Sequence, residues 1–239
     1  MKILIVNDDG INSAGIHVLS ELALSFGEVY VVAPEAQCSA MSHRITLKEP
    51  LIARKRDDYP VEDVVEAYSL TGTPADCVKA ALEGLIPVRP DVVFSGINDG
   101  YNVGTEILYS GTVGAAMEAA AQGIPAIAYS VKMSSGFETV RKDFQKVTEE
   151  LFERGLPESG IWNVNFPGTD QVEEARGVLF ERKPARLEYH YDHYDMKELE
   201  DGSIRLDPQY HRLESAPEGT DIEAVLNGYI SVGIVDTMV

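Results

Sequence analysis

The sequence predicts an α/β protein: a mostly parallel, doubly wound sheet with a β-rich extension near its C-terminal end. Three observations carry this. Short β-branched runs alternate with segments of helical period over residues 1–167, the pattern of successive βαβ units. Polar residues gather directly after several of the strands, where open parallel sheets bind their ligands. From residue 168 the alternation stops and the chain turns polar and tyrosine-rich.

The elements follow in order. "KILIVN" (2–7) is short, continuous and apolar, as a strand buried on both faces should be. "SAGIHVLSELALSF" (13–26) carries Ile16, Leu19, Leu22 and Ala23 at helical spacing, with Gly27 placed to end the helix. "EVYVVAP" (28–34) is a second strand, so the opening is βαβ, with parallel strands and a right-handed crossover. Residues 45–72 read as β-rich, with a turn near Asp57–Pro60. A helix over 73–85 has Thr73 as N-cap and Pro74 at its first position. Then come a strand at 90–98, an alanine-rich helix at 110–123, a strand at 124–131, a helix at 137–155 and a strand at 161–167. Residues 1–167 form the catalytic core in this reading, 168–218 the extension, and 219–239 a return strand (228–235) and tail.

Composition narrows the function. With 239 residues, 44% hydrophobic and 25% charged, the chain is an ordinary globular protein. No run approaches the ~20 apolar residues of a membrane span. The start, "MKILIVNDDG", lacks the apolar stretch of a signal peptide. Two cysteines, Cys38 and Cys77, make no disulfide framework and fit a reducing cytoplasm. A formal charge of −19 argues against a duplex nucleic acid or an anionic membrane as partner. It leaves room for a small anionic substrate if a bound cation reverses the field locally.

The stretch "IVNDDGINSAGI" (5–16) places Asp8 and Asp9 side by side at the end of the first strand. At roughly 4 Å and an effective dielectric near 20, their repulsion is about 4 kcal/mol. A shared proton, solvent or a cation must offset it. Two hard carboxylates favour Mg²⁺, Mn²⁺ or Ca²⁺ over zinc, and Asn98 with the Ser39 hydroxyl would complete an all-oxygen set. The competing reading makes Asp8 a helix N-cap and Asp9 a turn residue. "YSGTVG" offers hydroxyls at Ser110 and Thr112 and the unpaired N–H groups of a helix N-terminus at Gly111, a cradle for an anion. Metal oxygens on one side and an anion cradle on the other suggest a phosphate between them. His43 is a candidate general acid. His17, His190, His193 and His211 show no metal spacing, and His190 and His193 lie in the extension, where surface or interface packing is expected. Glycine motifs for dinucleotides or a P-loop are absent.

Five stretches, "ILIVNDDGINSAGI", "VVAP…S", "TGTPADCV", "SGINDGYNVG" and "YSGTVGAAME", resemble in order and spacing the SurE (survival protein E) family of nucleotidases. The resemblance runs from residue 2 to about 167 and resumes at 219–232. It implies a Rossmann-like fold and one divalent cation per subunit, Mg²⁺ or Mn²⁺. It also implies hydrolysis of nucleoside 5′- and 3′-monophosphates, and of short polyphosphate in some members. The family's metal ligands fall on Asp8, Asp9, Ser39 and Asn98, and its phosphate-binding turn on Ser110, Gly111 and Thr112 with Asn102 nearby. Asp8 and Asp9 are the expected catalytic carboxylates, and a homodimer or homotetramer is expected through the extension. Two departures stand out. Ala40 occupies a position where many members carry Gly, and the chain ends in "SVGIVDTMV" rather than continuing into a helix.

Two other families with acidic strand ends fit less well. A response-regulator receiver would need an aspartate where this chain has Ser95, and a haloacid-dehalogenase phosphatase needs Asp-x-Asp. A non-catalytic metal or nucleotide-binding module remains the alternative to an enzyme.

Overall fold

The computed structural model describes residues 1–157, 159–170 and 173–236, without the side chains of Tyr191 and Asp192. Its elements are β1 (Lys2–Val6), α1 (Ala14–Ala23), β2 (Glu28–Pro34), β3 (Ala53–Lys55), β4 (Glu66–Leu70), α2 (Pro74–Ala80), β5 (Val92–Asp99), α3 (Gly111–Ala121), β6 (Ala126–Val131), α4 (Glu138–Arg154) and β7 (Ile161–Phe166). They continue with β8 (Val178–Leu179), β9 (His190–Glu198), β10 (Ile204–Arg212), α5 (Asp221–Leu226) and β11 (Ile230–Val235).

Among the described residues, nine strands form one sheet in the order β3-β4-β2-β1-β5-β6-β7-β11-β8, and β9 and β10 form a separate antiparallel hairpin. The central strands β4, β2, β1, β5, β6 and β7 pair in parallel. At the edges β3 runs antiparallel to β4, and β11 antiparallel to β7. The doubly wound expectation holds. The sheet is covered on both faces because strand side chains alternate. Ile3 and Ile5 of β1 join Leu19, Phe94, Phe144 and Leu151 on the side of α1 and α4. Leu4 and Val6 join Val78, Ala115, Ala116 and Ala119 on the side of α2 and α3. The alanines let α3 lie close to the sheet, which carries its N-terminus up to the end of β1.

Three local expectations change. Gly27 does not cap α1, which ends at Leu24. It is required because a Cβ there would stand 2.0 Å from the Met1 carbonyl oxygen. The helix expected over 73–85 is shorter, since α2 stops at Ala80 and a wider π-type turn follows to Leu85. Gly84, with φ of +110°, leaves the right-handed helical region there and ends the turn. The segment 219–239 holds a short helix, α5, capped by the Thr220 hydroxyl, ahead of its return strand. Residues 237–239 lie outside the described residues.

The N-terminus of α2 ties the loop after β2 to the core. Asp76 accepts from the Thr73 N–H at 3.0 Å while Thr73 Oγ1 accepts from the Asp76 N–H, a reciprocal capping box. The same carboxylate accepts from the Thr46 N–H at 3.0 Å and the Thr46 hydroxyl at 2.7 Å. Burial works against the charged form, but these hydrogen bonds from Thr46 and Thr73 outweigh it and hold the carboxyl below its usual range. A carboxylate depressed in the folded state stabilises the fold above the unfolded pKa, near ~4, and the contribution is lost as pH falls through the folded value. Asp76→Asn is therefore expected to lower stability by about 1–3 kcal/mol at pH 7. Urea unfolding from pH 7 down towards ~3.5 checks this: the gap between parent and variant narrows as the acid limb is entered. A gap that stays constant with pH would show that the carboxylate's charge is not what stabilises the loop.

Candidate active site

The strand order reverses at β1. Its neighbour on one side is β2, and on the other β5, so the loops leaving β1 and β5 diverge to opposite faces. This opens a crevice at their carboxyl ends, the switch point where doubly wound sheets bind ligands. The residues after β1 and the last residues of β5 meet there. A cleft of about 340 Å³ is lined by Asp8, Asp9, Ser39, Asn98, Asn102 and Ser110, together with Gln37, Asp99, Glu106, Tyr109, Met133 and His190.

Asn7 builds the turn that lets two successive carboxylates serve one crevice. Its amide donates to the Gly10 carbonyl at 3.0 Å and to Ser13 Oγ at 2.8 Å, and its Oδ1 accepts from the Gly10 N–H. Gly10 sits at φ of +94°, a conformation open to glycine. Ser13, not Asp8, caps α1, which removes the helix-cap reading of the acidic pair.

Asp8 is buried beneath α3. The Thr112 hydroxyl donates to its Oδ1 at 2.5 Å, and the Asp8 carbonyl accepts from the Cys38 N–H at 2.7 Å. Burial pushes its pKa up to about 6, against the lowering hydrogen bond from Thr112 and with Asp9 adding to the rise. Asp9 accepts from the Asp99 N–H at 3.2 Å and from Gln37 Nε2 at 3.4 Å. Burial raises its pKa too, and the Asp99 carboxylate adds to this. Asn98 donates its amide to the Gly100 carbonyl at 2.8 Å, leaving its amide oxygen as the group free to ligate. Ser39 is exposed on the far wall. Its neighbour Ala40 has φ of +55°, in the left-handed region that strains the backbone of a residue with a Cβ.

The helix α3 begins at the cleft. Ser110 caps it, its Oγ accepting from the Val113 N–H at 3.1 Å, and the first N–H groups, at Gly111 and Thr112, have no acceptor within the helix. Gly111 has a steric reason as well: a Cβ would meet the Asp8 Cβ at 2.8 Å. Thr112 is fully buried behind Asp8, with its hydroxyl engaged there and its carbonyl accepting from Ser95 Oγ at 2.7 Å. Asn102 lines the floor, its amide donated to Ser130 Oγ at 2.8 Å and its backbone held by Asn163 and Asn165 of β7.

The reading of single residues missed one whole wall. Glu106, Tyr109 and His190 line the cleft, and Glu106 Oε1 accepts from the His190 N–H at 2.5 Å across 84 residues of sequence. No local spacing could reveal that pairing. His43 faces elsewhere: it pairs with Glu118 of α3 at 2.8 Å and is absent from the cleft.

Four carboxylates, Asp8, Asp9, Asp99 and Glu106, line this space. Among the described residues no lysine or arginine forms an ion pair with any of them. Among the described residues no three of these acidic groups converge on one point, so the donors that suit a hard divalent cation are the pair Asp8 and Asp9 with the Ser39 hydroxyl and the Asn98 amide oxygen.

A family model described as "Survival protein SurE" matches residues 3–187. The 5′-nucleotidase SurE of Thermoanaerobacter sp. (strain X514) is 41% identical over 234 residues, covering 97% of this chain and 90% of the relative. The 5′-nucleotidase SurE 1 of Thermus thermophilus is 39% identical over 244 residues, with the same shares of both chains. A crystal structure of the SurE protein from Aquifex aeolicus superposes with a TM-score of 0.84 at 35% identity, covering 100% of this chain and 95% of that one. The doubly wound sheet, the acidic strand end at its switch point and the match over most of the chain lead to one assignment: the chain belongs to the SurE family.

Proposed function

We propose that the chain is a metal-dependent 5′-nucleotidase that hydrolyses nucleoside 5′- and 3′-monophosphates to nucleoside and phosphate. One observation carries the reading. A cleft lined by four carboxylates and no lysine or arginine faces the N-terminus of α3, so a cation is what offsets the carboxylates' repulsion of a phosphate there. Asp8, Asp9, Ser39 and Asn98 would hold that ion. When bound, Mg²⁺ or Mn²⁺ supplies positive charge against a phosphoryl oxygen and lowers the pKa of a bound water.

The chain's own groups do the rest. Ser110 and the Gly111 N–H hold the phosphoryl oxygens at the positive end of the helix, while Thr112 gives both its hydroxyl and its backbone N–H to the Asp8 carboxylate. Thr112 fixes the Asp8 carboxylate, and Asp8 or Asp9 orients the attacking water and takes up its proton. His190 replaces His43 as the donor to the departing alkoxide, since it is the imidazole that lines the cleft. No helix of the described residues is long and apolar enough to cross a membrane. With two free cysteines and an acidic surface, the reading places the protein in the cytoplasm, acting on small nucleotides rather than duplex nucleic acid.

The direct test is phosphate release from AMP. Chelation should abolish it, and Mg²⁺ or Mn²⁺ should restore it. Asp9→Asn, which changes charge with little change in volume, should raise the metal concentration needed for half-maximal rate by at least tenfold while the melting curve of the chelated protein stays near that of the parent. Full activity in a metal-stripped sample would overturn the metal-dependent reading. His190→Gln should lower kcat for AMP by about 10²-fold but spare p-nitrophenyl phosphate, whose leaving group needs no proton. Equal losses on both substrates would remove His190 from that role.

The same reading assigns the β9–β10 hairpin to assembly. Register pairs Met196 with Leu206 and Glu198 with Ile204, so Tyr194, Met196, Ile204, Leu206 and Tyr210 share one face. Met196 is 73% exposed and Ile204 61%. A lone two-stranded hairpin with a bare apolar face is marginal in water, and a second copy of the chain is the occupant that would cover it. The extension's root belongs to the core instead: Tyr189 and Ala185 pack with Tyr101, Val103, Ile222 and Val225. Excision should therefore spare residues 185–190 and remove 192–210 behind a short Gly/Ser bridge. The parent is expected to scatter light as a dimer or tetramer and the excised form as a smaller species. A monomeric parent, or an excised form of unchanged mass, would refute the assembly role.

A further inference from the structure

Two cavities adjoin the catalytic cleft. The larger, of about 780 Å³, is walled by Glu106 and Tyr109 and by Tyr194 and Tyr210 of the hairpin. The smaller, of about 230 Å³, shares Tyr101, Met133 and His190 with the cleft and adds Lys132, Ser134, Tyr189 and Arg212. Its charge is the reverse of the cleft's. Carboxylates line the cleft with no lysine or arginine, whereas a lysine and an arginine line this cavity with no carboxylate. Lys132 directly follows β6 and is 8% exposed. A Cβ at Gly168 would stand 2.9 Å from its Cδ, so the glycine leaves the channel along which the lysine stem runs. Arg212 ends β10, where register pairs it with His190 at the start of β9. Its guanidinium faces the enclosed Tyr189 hydroxyl, short of a well-formed hydrogen bond. The carboxylate that answers these charges is the exposed Asp170, which pairs with Lys132. The hydrogen bond from Lys132 holds it below the usual carboxylate range, and the charges of Lys132 and Arg212 add to this. Two full cations thus share one carboxylate, which is not among the lining groups.

We propose that the smaller cavity is a second oxyanion site, which takes a phosphate group between Lys132 and Arg212, apart from the phosphate that reacts against α3. A buried ammonium needs a counter-charge, and here its partner is an exposed carboxylate. Such a pair is held weakly, so a dianion with more oxygens competes for the same ammonium. Ammonium and guanidinium groups are the side chains that bind phosphate oxygens by charge-assisted hydrogen bonds. The Ser134 and Tyr189 hydroxyls supply neutral donors beside them. A cation is repelled from this cavity by the same two residues. That the cavity selects an anion follows from its own walls. That the anion is phosphate rests on the nucleotidase reading, which makes phosphate the product of the adjoining cleft. The group recognised is the same whether it is the free inorganic ion or a second phosphate carried by the substrate. Tyr101, Met133 and His190 are walls common to both spaces, so filling the cavity changes turnover in the cleft.

The first measurement is binding of inorganic phosphate to the full chain in EDTA, by calorimetry or phosphorus NMR. Under chelation the carboxylate-lined cleft has no cation with which to hold phosphate, so the second site is read by itself. The parent is expected to bind phosphate in the millimolar range or tighter. Lys132→Met and Arg212→Ala should each weaken binding about tenfold or more. Asp170→Asn, which removes the competing carboxylate, should tighten it several-fold, a gain that a pair serving only to hold its loop would not give. Arg212 and Asp170 are exposed, so their variants keep the result decisive where Lys132→Met fails to fold. No binding to the chelated parent at millimolar phosphate, or binding unchanged in all three variants, would overturn the site. So would weaker binding by Asp170→Asn. Turnover by the metal-loaded protein then identifies the source. A site for the free ion gives phosphate inhibition with a component that AMP does not relieve, and Arg212→Ala loses that component. A site for a second substrate phosphate gives a lower KM for adenosine 3′,5′-bisphosphate than for AMP, and the same variant loses that advantage. If the chain binds phosphate through these cations yet hydrolyses no phosphomonoester, the site stands and the nucleotidase reading falls.

Discussion

Two adjacent carboxylates at the end of the central strand are the constraint on which the rest of the structure depends. Their repulsion is a few kcal/mol even in a polar environment, and the fold increases the difficulty by burying Asp8. It answers with a short chain of hydrogen bonds. Ser95 of β5 donates to the carbonyl of Thr112, and the Thr112 hydroxyl donates to Asp8. Two neighbouring strands and the helix above them are thereby locked into one arrangement. The close approach explains the local composition: Gly111 because a side chain would strike Asp8, and alanines along α3 because the helix must lie near the sheet to bring its N-terminus to the carboxylate. These contacts position Asp8 without neutralising it, and burial leaves its pKa near 6. The remaining electrostatic cost is what the cation proposed for this site would relieve.

Much of the core was legible because its information is local. The runs at 2–7, 28–34 and 161–167 are short and apolar with clear stops, and the structure has strands at Lys2–Val6, Glu28–Pro34 and Ile161–Phe166. Ser110 and Thr73 signalled helix starts through capping chemistry that acts within four residues, and both are caps. Asp8, Asp9, Ser39, Asn98, Asn102 and Ser110 come to one cleft because each follows or ends an element next to the switch point, so topology does the gathering. Where local reasoning misled, the deciding contact was distant. Gly27 resembles a helix stop in sequence, but the Met1 carbonyl is what demands it. Thr112 resembles an anion ligand because its hydroxyl sits in a first helical turn, yet that hydroxyl is spent on Asp8, 104 residues away. His190, read from the sequence as a surface or interface histidine, lines the cleft instead, because the extension folds back.

That return path has its own physical logic. The root of the extension is fastened to the 3₁₀ turn Gly104–Tyr109, the segment that carries Glu106 and Tyr109. Thr105 donates its N–H to the Leu187 carbonyl at 2.9 Å. The buried Asp221 carboxylate accepts from the Gly104 N–H at 2.8 Å and the Ala185 N–H at 2.9 Å, joining the turn, the root and α5. The Tyr101 and Tyr189 rings meet edge to face at 5.5 Å on the inner side. A hairpin whose two strands satisfy only each other has little stability of its own, so its orientation over the cleft is inherited from this junction. The same junction sets the positions of Glu106 and His190.

The hairpin therefore carries two surfaces that its geometry couples. Near its base, Tyr194 and Tyr210 close the outer wall of the cavity beside the cleft; towards its tip, Met196, Leu206 and Ile204 continue the same face into solvent. A β-ladder is stiff along its length, and side chains two residues apart on one strand stand on the same face. Whatever covers the tip must also restrict how the base can tilt over the cavity. A second subunit covering the tip, as the assembly reading proposes, would therefore also fix the base of the hairpin over the cavity beside the cleft. Base and tip are thus parts of one stiff element whose anchor, the junction with the turn Gly104–Tyr109, lies apart from the carboxylates at the end of β1.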